Sequence, residues 1–237
     1  MSERLLGILI SSFTKILIPG IKVTIPLTLV SFALSLVLGL LLALFQIANI
    51  RGLKQFSRFY IWVFRGTPLI VQLFIIFFGL PSIGIVLKSF TAAVLGFGLN
   101  LAAYNAEVFR SAISAIPKGQ SEAAEMIGLS YGQTMARVVL PQSFPIAFPS
   151  LFNNLISLLK DTSLAASITV VELFTVTQQI AARTYEPFAL YLEAAFIYLM
   201  FSTLLTWLQD YLEKKLVWKS KEPVDINGQA SPIIGRK

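Results

Sequence analysis

The chain has 237 residues, 56% hydrophobic and only 13% charged, with a mean hydropathy of +0.76. That composition excludes an ordinary soluble domain and points to several membrane spans. It holds no cysteine and no histidine, which excludes disulfides, thiol nucleophiles and thiolate metal sites, and removes the commonest general base. The net charge of +7 fits lysine and arginine gathered in cytoplasmic loops better than a nucleic-acid surface.

Residues 1–22 carry Arg4, Lys15 and Lys22 among apolar residues, the pattern of a short interfacial helix. The apolar run Leu5–Ile10 is short and no small-residue cleavage site follows, so no removable signal is expected. The first span is predicted over 23–47, long enough to cross a hydrocarbon core of about 30 Å. Pro26 falls in its first turn, where it does little harm. Asn49–Arg58 reads as a basic loop with Arg51, Lys54 and Arg58. The second span, 59–80, is interrupted by Arg65-Gly66-Thr67-Pro68, so the helix is expected to bend or restart at Pro68. Arg65 itself is expected near the inner interface, where its long side chain reaches water. Pro81 and Gly84 mark a turn. The third span is predicted over 90–109, with Gly96 and Gly98 at close helix contacts.

Pro117–Gln142 is the longest polar interruption. Prolines at each end, helix formers over Gln120–Ile127, Gly128 at a helix end, and Ser130 with Gln133 as a capping box predict a helical hairpin. Glu122 and Glu125 flank the small Ala123 and Ala124, which let another surface approach the backbone. From the residues alone, a docking surface and a solvated connection both stand. The fourth span follows over 144–163. Glu172–Glu186 is mixed and is expected at the outer surface, with Glu193 near the outer interface. Pro187 opens the fifth span, 188–208, and residues 216–237 form a polar tail. The expected fold is therefore an all-α polytopic membrane protein with five transmembrane helices. Arg51, Lys54, Arg58, Arg110, Lys118, Arg137 and the tail lysines outnumber the basic residues of the other loops. This bias places the hairpin in the cytoplasm and the N-terminus outside.

Polar residues within spans are costly and face protein or water. On the third span Asn100, Tyr104, Glu107 and Ser111 form one stripe, with Asn105 beside it. Glu107 either borders a translocation path or pairs with Arg110 one turn on. On the fourth span Asn153, Asn154 and Ser157 lead to Lys160, Asp161, Thr162 and Ser163. These either form a wall for a zwitterionic substrate or a local ion pair that holds a helix break. No GxxxxGK[ST] phosphate loop, HExxH or GxSxG pattern occurs. An energy source must come from another chain or from an ion gradient.

Glu122-Ala123-Ala124, Gly128 and Leu140-Pro141 resemble the EAA loop of the membrane subunits of bacterial ABC importers. Phe64-Arg65-Gly66-Thr67-Pro68-Leu69-Ile70-Val71-Gln72, Ala103-Tyr104-Asn105-Ala106-Glu107, Ile116-Pro117-Lys118-Gly119-Gln120 and Leu159-Lys160-Asp161-Thr162-Ser163-Leu164 are similar to signatures of polar amino-acid ABC permeases. The group is that of histidine, glutamine, arginine and cystine importers, and within it the chain most resembles L-cystine permeases. The pattern departs at Ser143-Phe144-Pro145, where the family often has a basic residue. The resemblance implies a type I importer fold with a cytoplasmic coupling hairpin, no cofactor of its own, and alternating access. It implies ATPase subunits docked on Gly119, Glu122, Ala123, Ala124 and Gly128. It also implies an extracytoplasmic substrate-binding protein, a second permease chain in a homo- or heterodimer, and an amino-acid substrate passing Tyr104, Asn105, Glu107, Asn153, Asn154, Lys160, Asp161, Thr162 and Ser163. An ion-coupled secondary transporter or channel, needing no partner chain, is the alternative.

Overall fold

The computed structural model describes residues 3–48 and 50–218 and, among these, contains helices and turns only. Helix α1 runs from Glu3 to Ile47 without interruption. The expected interfacial segment 1–22 is thus not a separate helix. It joins the first span through a π turn at Gly20–Thr24, the wide turn that accommodates one extra residue inside a helix. Helix α2, Arg51–Gly66, begins where a basic loop was expected, so Arg51, Lys54 and Arg58 lie on a helix. It is followed by α3, Leu69–Ile83, at an angle of 104°. The break falls at Thr67 and Pro68, both extended, because proline disfavours helical backbone in the residue before it.

Helix α4, Ser89–Ser114, crosses in one piece. Helix α5, Lys118–Met126, is the first arm of the hairpin. Its second arm is the start of α6, Tyr131–Ile168, which passes Pro141 unbroken by way of a π turn at Met135–Val139. Pro141 therefore does not end the hairpin. Its ring sits at the first positions of the following α-helical stretch, where a missing N–H does least harm. Helix α6 tightens to 3-10 geometry over Thr162–Ile168. Helix α7, Leu173–Thr184, follows at 56°. Helix α8 runs Pro187–Trp218, past the expected end at 208, and carries Lys214 and Lys215 on its last turns. The rest of the expected tail, 219–237, lies outside the described residues. Counting each bent pair as one crossing, the described residues hold five segments long and apolar enough to span a membrane.

Helices α1 and α4 form the centre, and small residues let their backbones meet. A Cβ on Gly39 would stand 2.8 Å from Asn105 Cβ, and one on Gly98 would stand 2.6 Å from Leu34. Among lipid-soluble helices, close van der Waals contact of this kind replaces the hydrophobic drive of a soluble core. Leu27, Leu73, Phe97, Leu158 and Ile168 fill one layer. Ala43, Phe109, Ala147 and Leu151 fill a second, tying α6 to α1 and α4. Ile113, Met135 and Val139 form a third at the root of the hairpin, against Leu44 and Ile47. Helix α8 packs through Leu190 and Ile197 on Ile16 and Leu173. Glu193 accepts a hydrogen bond from Ser12 of α1 and is half-buried, so it ties two helices together.

Candidate functional site

Helix α5 ends in a Schellman motif. Gly128 takes φ +85°, its N–H donates to Glu125 O at 2.9 Å, and the Leu129 N–H donates to Ala124 O at 3.1 Å. Glycine reaches this left-handed backbone at little cost. The next helix opens at once with the expected capping box: the Ser130 N–H donates to Gln133 Oε1 at 2.9 Å, and the Gln133 N–H donates to Ser130 Oγ. Gln142 donates to Gln120 and to Val138 O, closing the hairpin across its base. Ala124 faces inward at 4% exposure, while Met126 and Ile127 stand 88% and 78% exposed at the tip, with Tyr131 beside them. Glu122, Ala123 and Gly119 are also exposed, and nothing lies within 4 Å of where a Gly119 or Gly128 Cβ would be. The hairpin thus presents a polar-flanked apolar tip on a doubly capped, preorganised turn.

The expected path residues separate into levels along α4 and α6. Residues Leu140 and Asp161 are roughly 30 Å apart along α6 at 1.5 Å per residue, so the Lys160–Ser163 cluster lies near the face opposite the hairpin. Glu107 lies on the hairpin side. It is half-buried, ion-paired to Arg110 at 2.8 Å and bonded by Gln46 Nε2 at 3.0 Å. Of the two readings of Glu107, the pair with Arg110 is therefore formed, on a side chain that still reaches the surface. Asn105 is wholly buried. It donates to Ser35 Oγ at 2.9 Å and accepts from Asn154 Nδ2 at 2.8 Å, linking α1, α4 and α6. Tyr104 is 40% exposed, with the Arg65 guanidinium 5.2 Å from its ring centroid, a cation–π distance. Arg65, exposed on the last turn of α2, thus meets α4. Asn153 is exposed.

Lys160 and Asp161 are exposed and make no ion pair with each other; among the described residues the one ion pair is Glu107–Arg110. The helix does not break at Asp161 but tightens. Thr162, buried, donates to Leu159 O, and Ser163 donates to Lys160 O. The turn comes later, at Thr169, whose φ of 63° is uncommon for a β-branched residue.

Two polar knots escaped the sequence reading. Gln72 donates to Phe64 O, Thr67 O and Thr67 Oγ1, and accepts from Asn100 Nδ2. These bonds satisfy the carbonyls that the break after Gly66 leaves open, as membrane depth requires. Glu172, assigned to an outer loop by sequence, is wholly buried. It caps α7 through the Thr175 N–H and accepts from Thr24 and Tyr198. An acidic residue three positions before a threonine at a helix start was the available signal.

A family model described as "Binding-protein-dependent transport system inner membrane component" matches residues 35–218. The chain belongs to this family. The L-cystine transport system permease protein TcyB of Bacillus subtilis (strain 168) is 45% identical to it over 206 residues, 86% of this chain and 88% of TcyB. The probable amino-acid ABC transporter permease protein YckA of the same organism is 44% identical over 206 residues, 87% and 91% of the two chains. A crystal structure of an amino acid ABC transporter with histidines superposes with a TM-score of 0.81 at 32% identity, covering 91% of this chain and 100% of that one. As an inner membrane component of a binding-protein-dependent system, the chain is a multi-pass permease subunit. ATP hydrolysis falls to a separate subunit and delivery to a binding protein, which displaces the single-chain ion-coupled reading.

Proposed function

We propose that this chain is the permease subunit of an ATP-driven importer of amino acids, that its substrate is L-cystine, and that an ATPase docks on the α5 hairpin. The likeness to TcyB along most of the chain is the observation that supports cystine. The doubly capped hairpin with exposed Met126, Ile127 and Tyr131 supports the docking role of Gly119, Glu122, Ala123, Ala124 and Gly128. Closure of an ATPase dimer would move the hairpin, and the layer of Ile113, Met135 and Val139 against Leu44 and Ile47 would pass that motion to α1, α4 and α6. Cystine carries an ammonium and a carboxylate at each end. Exposed Asp161 and Lys160 on the outer level of α6 offer an acceptor and a donor for one end as it enters. Tyr104 beside Arg65, with Asn153, offers a polar surface deeper in the path, while Asn105, Asn154 and Thr162 hold the helices that carry it.

The experiment is uptake of radiolabelled cystine, histidine, glutamine and arginine by cells lacking this chain, with and without its restoration. Restored cystine uptake that needs ATP but survives loss of the proton gradient is the expected result. Restored uptake of another amino acid would discard cystine and keep the importer. Uptake abolished by an uncoupler while ATP is maintained would discard the importer.

A further inference from the structure

Two cavities lie end to end beside α6 and share Phe144 and Phe148. The first, about 300 Å³, is apolar and runs between α1, α4 and α6 past Phe32, Leu36, Leu40 and Phe109. The second, about 750 Å³, opens between the start of α6 and the last turns of α8, where Tyr211, Lys214 and Lys215 line it. Together they make one amphipathic groove, apolar and aromatic at one end and cationic at the other. Its cationic end is cytoplasmic, because it lies at the hairpin end of α6, and Gln209 of α8 donates to Pro149 O there.

The groove does not face the proposed path. Phe144 and Phe148 are each about two and a half turns from Asn153 and Ser157 respectively, hence on the opposite face of α6. That face looks outward: Phe144 is 47% exposed and Tyr211 is 56% exposed. The Lys215 ammonium is held 4.5 Å from the Tyr211 ring centroid, which fixes one charge at the mouth, and Lys214 is exposed beside it.

We infer that this groove binds an anionic glycerophospholipid of the cytoplasmic leaflet, an acyl chain lying along Phe144, Phe148 and Leu36 and the phosphate resting on Lys214 and Lys215. Charge complementarity selects the occupant. An apolar slot alone would take any chain, but two cations at its cytoplasmic mouth match the negative headgroups on that side of a membrane. Tyr211 at the mouth has the amphipathic ring that suits headgroup depth. The inference is independent of the substrate reading.

The purified permease–ATPase complex, with the full chain, is titrated in detergent with dioleoylphosphatidylglycerol or dioleoylphosphatidylcholine, and bound lipid is read by native mass spectrometry. Phosphatidylglycerol is expected to bind in preference. The double variant K214Q/K215Q should weaken it roughly thirtyfold, the effect of two cations near a charged surface, while K214R/K215R retains it. Equal binding of the two lipids, or unchanged phosphatidylglycerol affinity in the glutamine variant, overturns the inference. A photo-crosslinker in place of Phe148 reports the occupant directly in membranes. A lipid adduct supports the inference. An adduct to the residues beyond Trp218, or to a second permease chain, overturns it.

Discussion

Thr24 and Glu172, 148 positions apart in sequence, meet inside the bundle: Thr24 Oγ1 donates to the Glu172 carboxylate at 3.3 Å and accepts from the Leu173 N–H at 3.2 Å. The residue that ends the π turn of α1 is thereby fastened to the residue that opens α7. Tyr198 of α8 donates to the same carboxylate oxygen at 3.1 Å, so three crossings converge on one side chain.

Replacing Glu172 with alanine leaves those buried donors without an acceptor. The expected loss is on the order of 3 kcal/mol, read as a lower unfolding temperature of the detergent-solubilised complex. Glutamine keeps an acceptor for the Thr175 N–H, and the two hydroxyls can turn to accept from its amide, so E172Q should fall well short of that loss. An alanine variant as stable as the parent would show that the knot contributes nothing.

Gly39 makes a packing prediction. Its α-carbon faces Asn105 and the backbone of Ala102 at distances a methyl group cannot share, and Ala102 cannot rotate away. G39A should separate α1 from α4 and cost about 1–3 kcal/mol, as overpacking does. G119A, with open space around it on helix α5, should cost no stability, since alanine favours the helix over glycine. Unfolding curves of the two variants side by side check both expectations.

Gly128 tests the hairpin. A Cβ there meets no neighbour, so any penalty comes from the backbone. Alanine in a left-handed conformation costs about 1–2 kcal/mol and valine more. G128V should distort the turn while the membrane bundle stays folded, so ATP hydrolysis continues and uptake is lost. Proteoliposomes measure both; uptake per ATP equal to the parent's would count against the hairpin as the coupling element.

Asp161 tests the outer level of the path. Among the described residues it has no ion-pair partner, and both it and Lys160 are exposed. D161N should therefore leave thermal stability unchanged and raise the KM for uptake. A fall in stability with unaltered KM would assign Asp161 to the scaffold.

The sequence carried the hairpin most fully. Gly128, Ser130 and Gln133 each have a local reason to be where they are, and local geometry is what residue order encodes best. Pro68 likewise announced the break in the second crossing. Other features depended on distant partners. Nothing near Glu172 in the chain reveals Thr24 and Tyr198, so it read as a surface residue. Asn105 read as path-lining because it sits in the Ala103–Glu107 signature between Tyr104 and Glu107, whereas its own side chain bonds Ser35 and Asn154. The π turns at Gly20–Thr24 and Met135–Val139 were not legible either. They let helices run on where the end of the 1–22 segment and Pro141 had been read as boundaries.

The open space around Gly128 separates two kinds of information in the hairpin. The turn is dictated by this chain's own backbone, and any ATPase would meet the same turn. Met126, Ile127 and Tyr131 contribute little to the fold, being exposed, and so are free to differ between transporters that share a cell. Which motor belongs to which permease would then be written in those three side chains. Exchanging them for those of a second permease should exchange the ATPase that co-purifies, with the hairpin's shape intact.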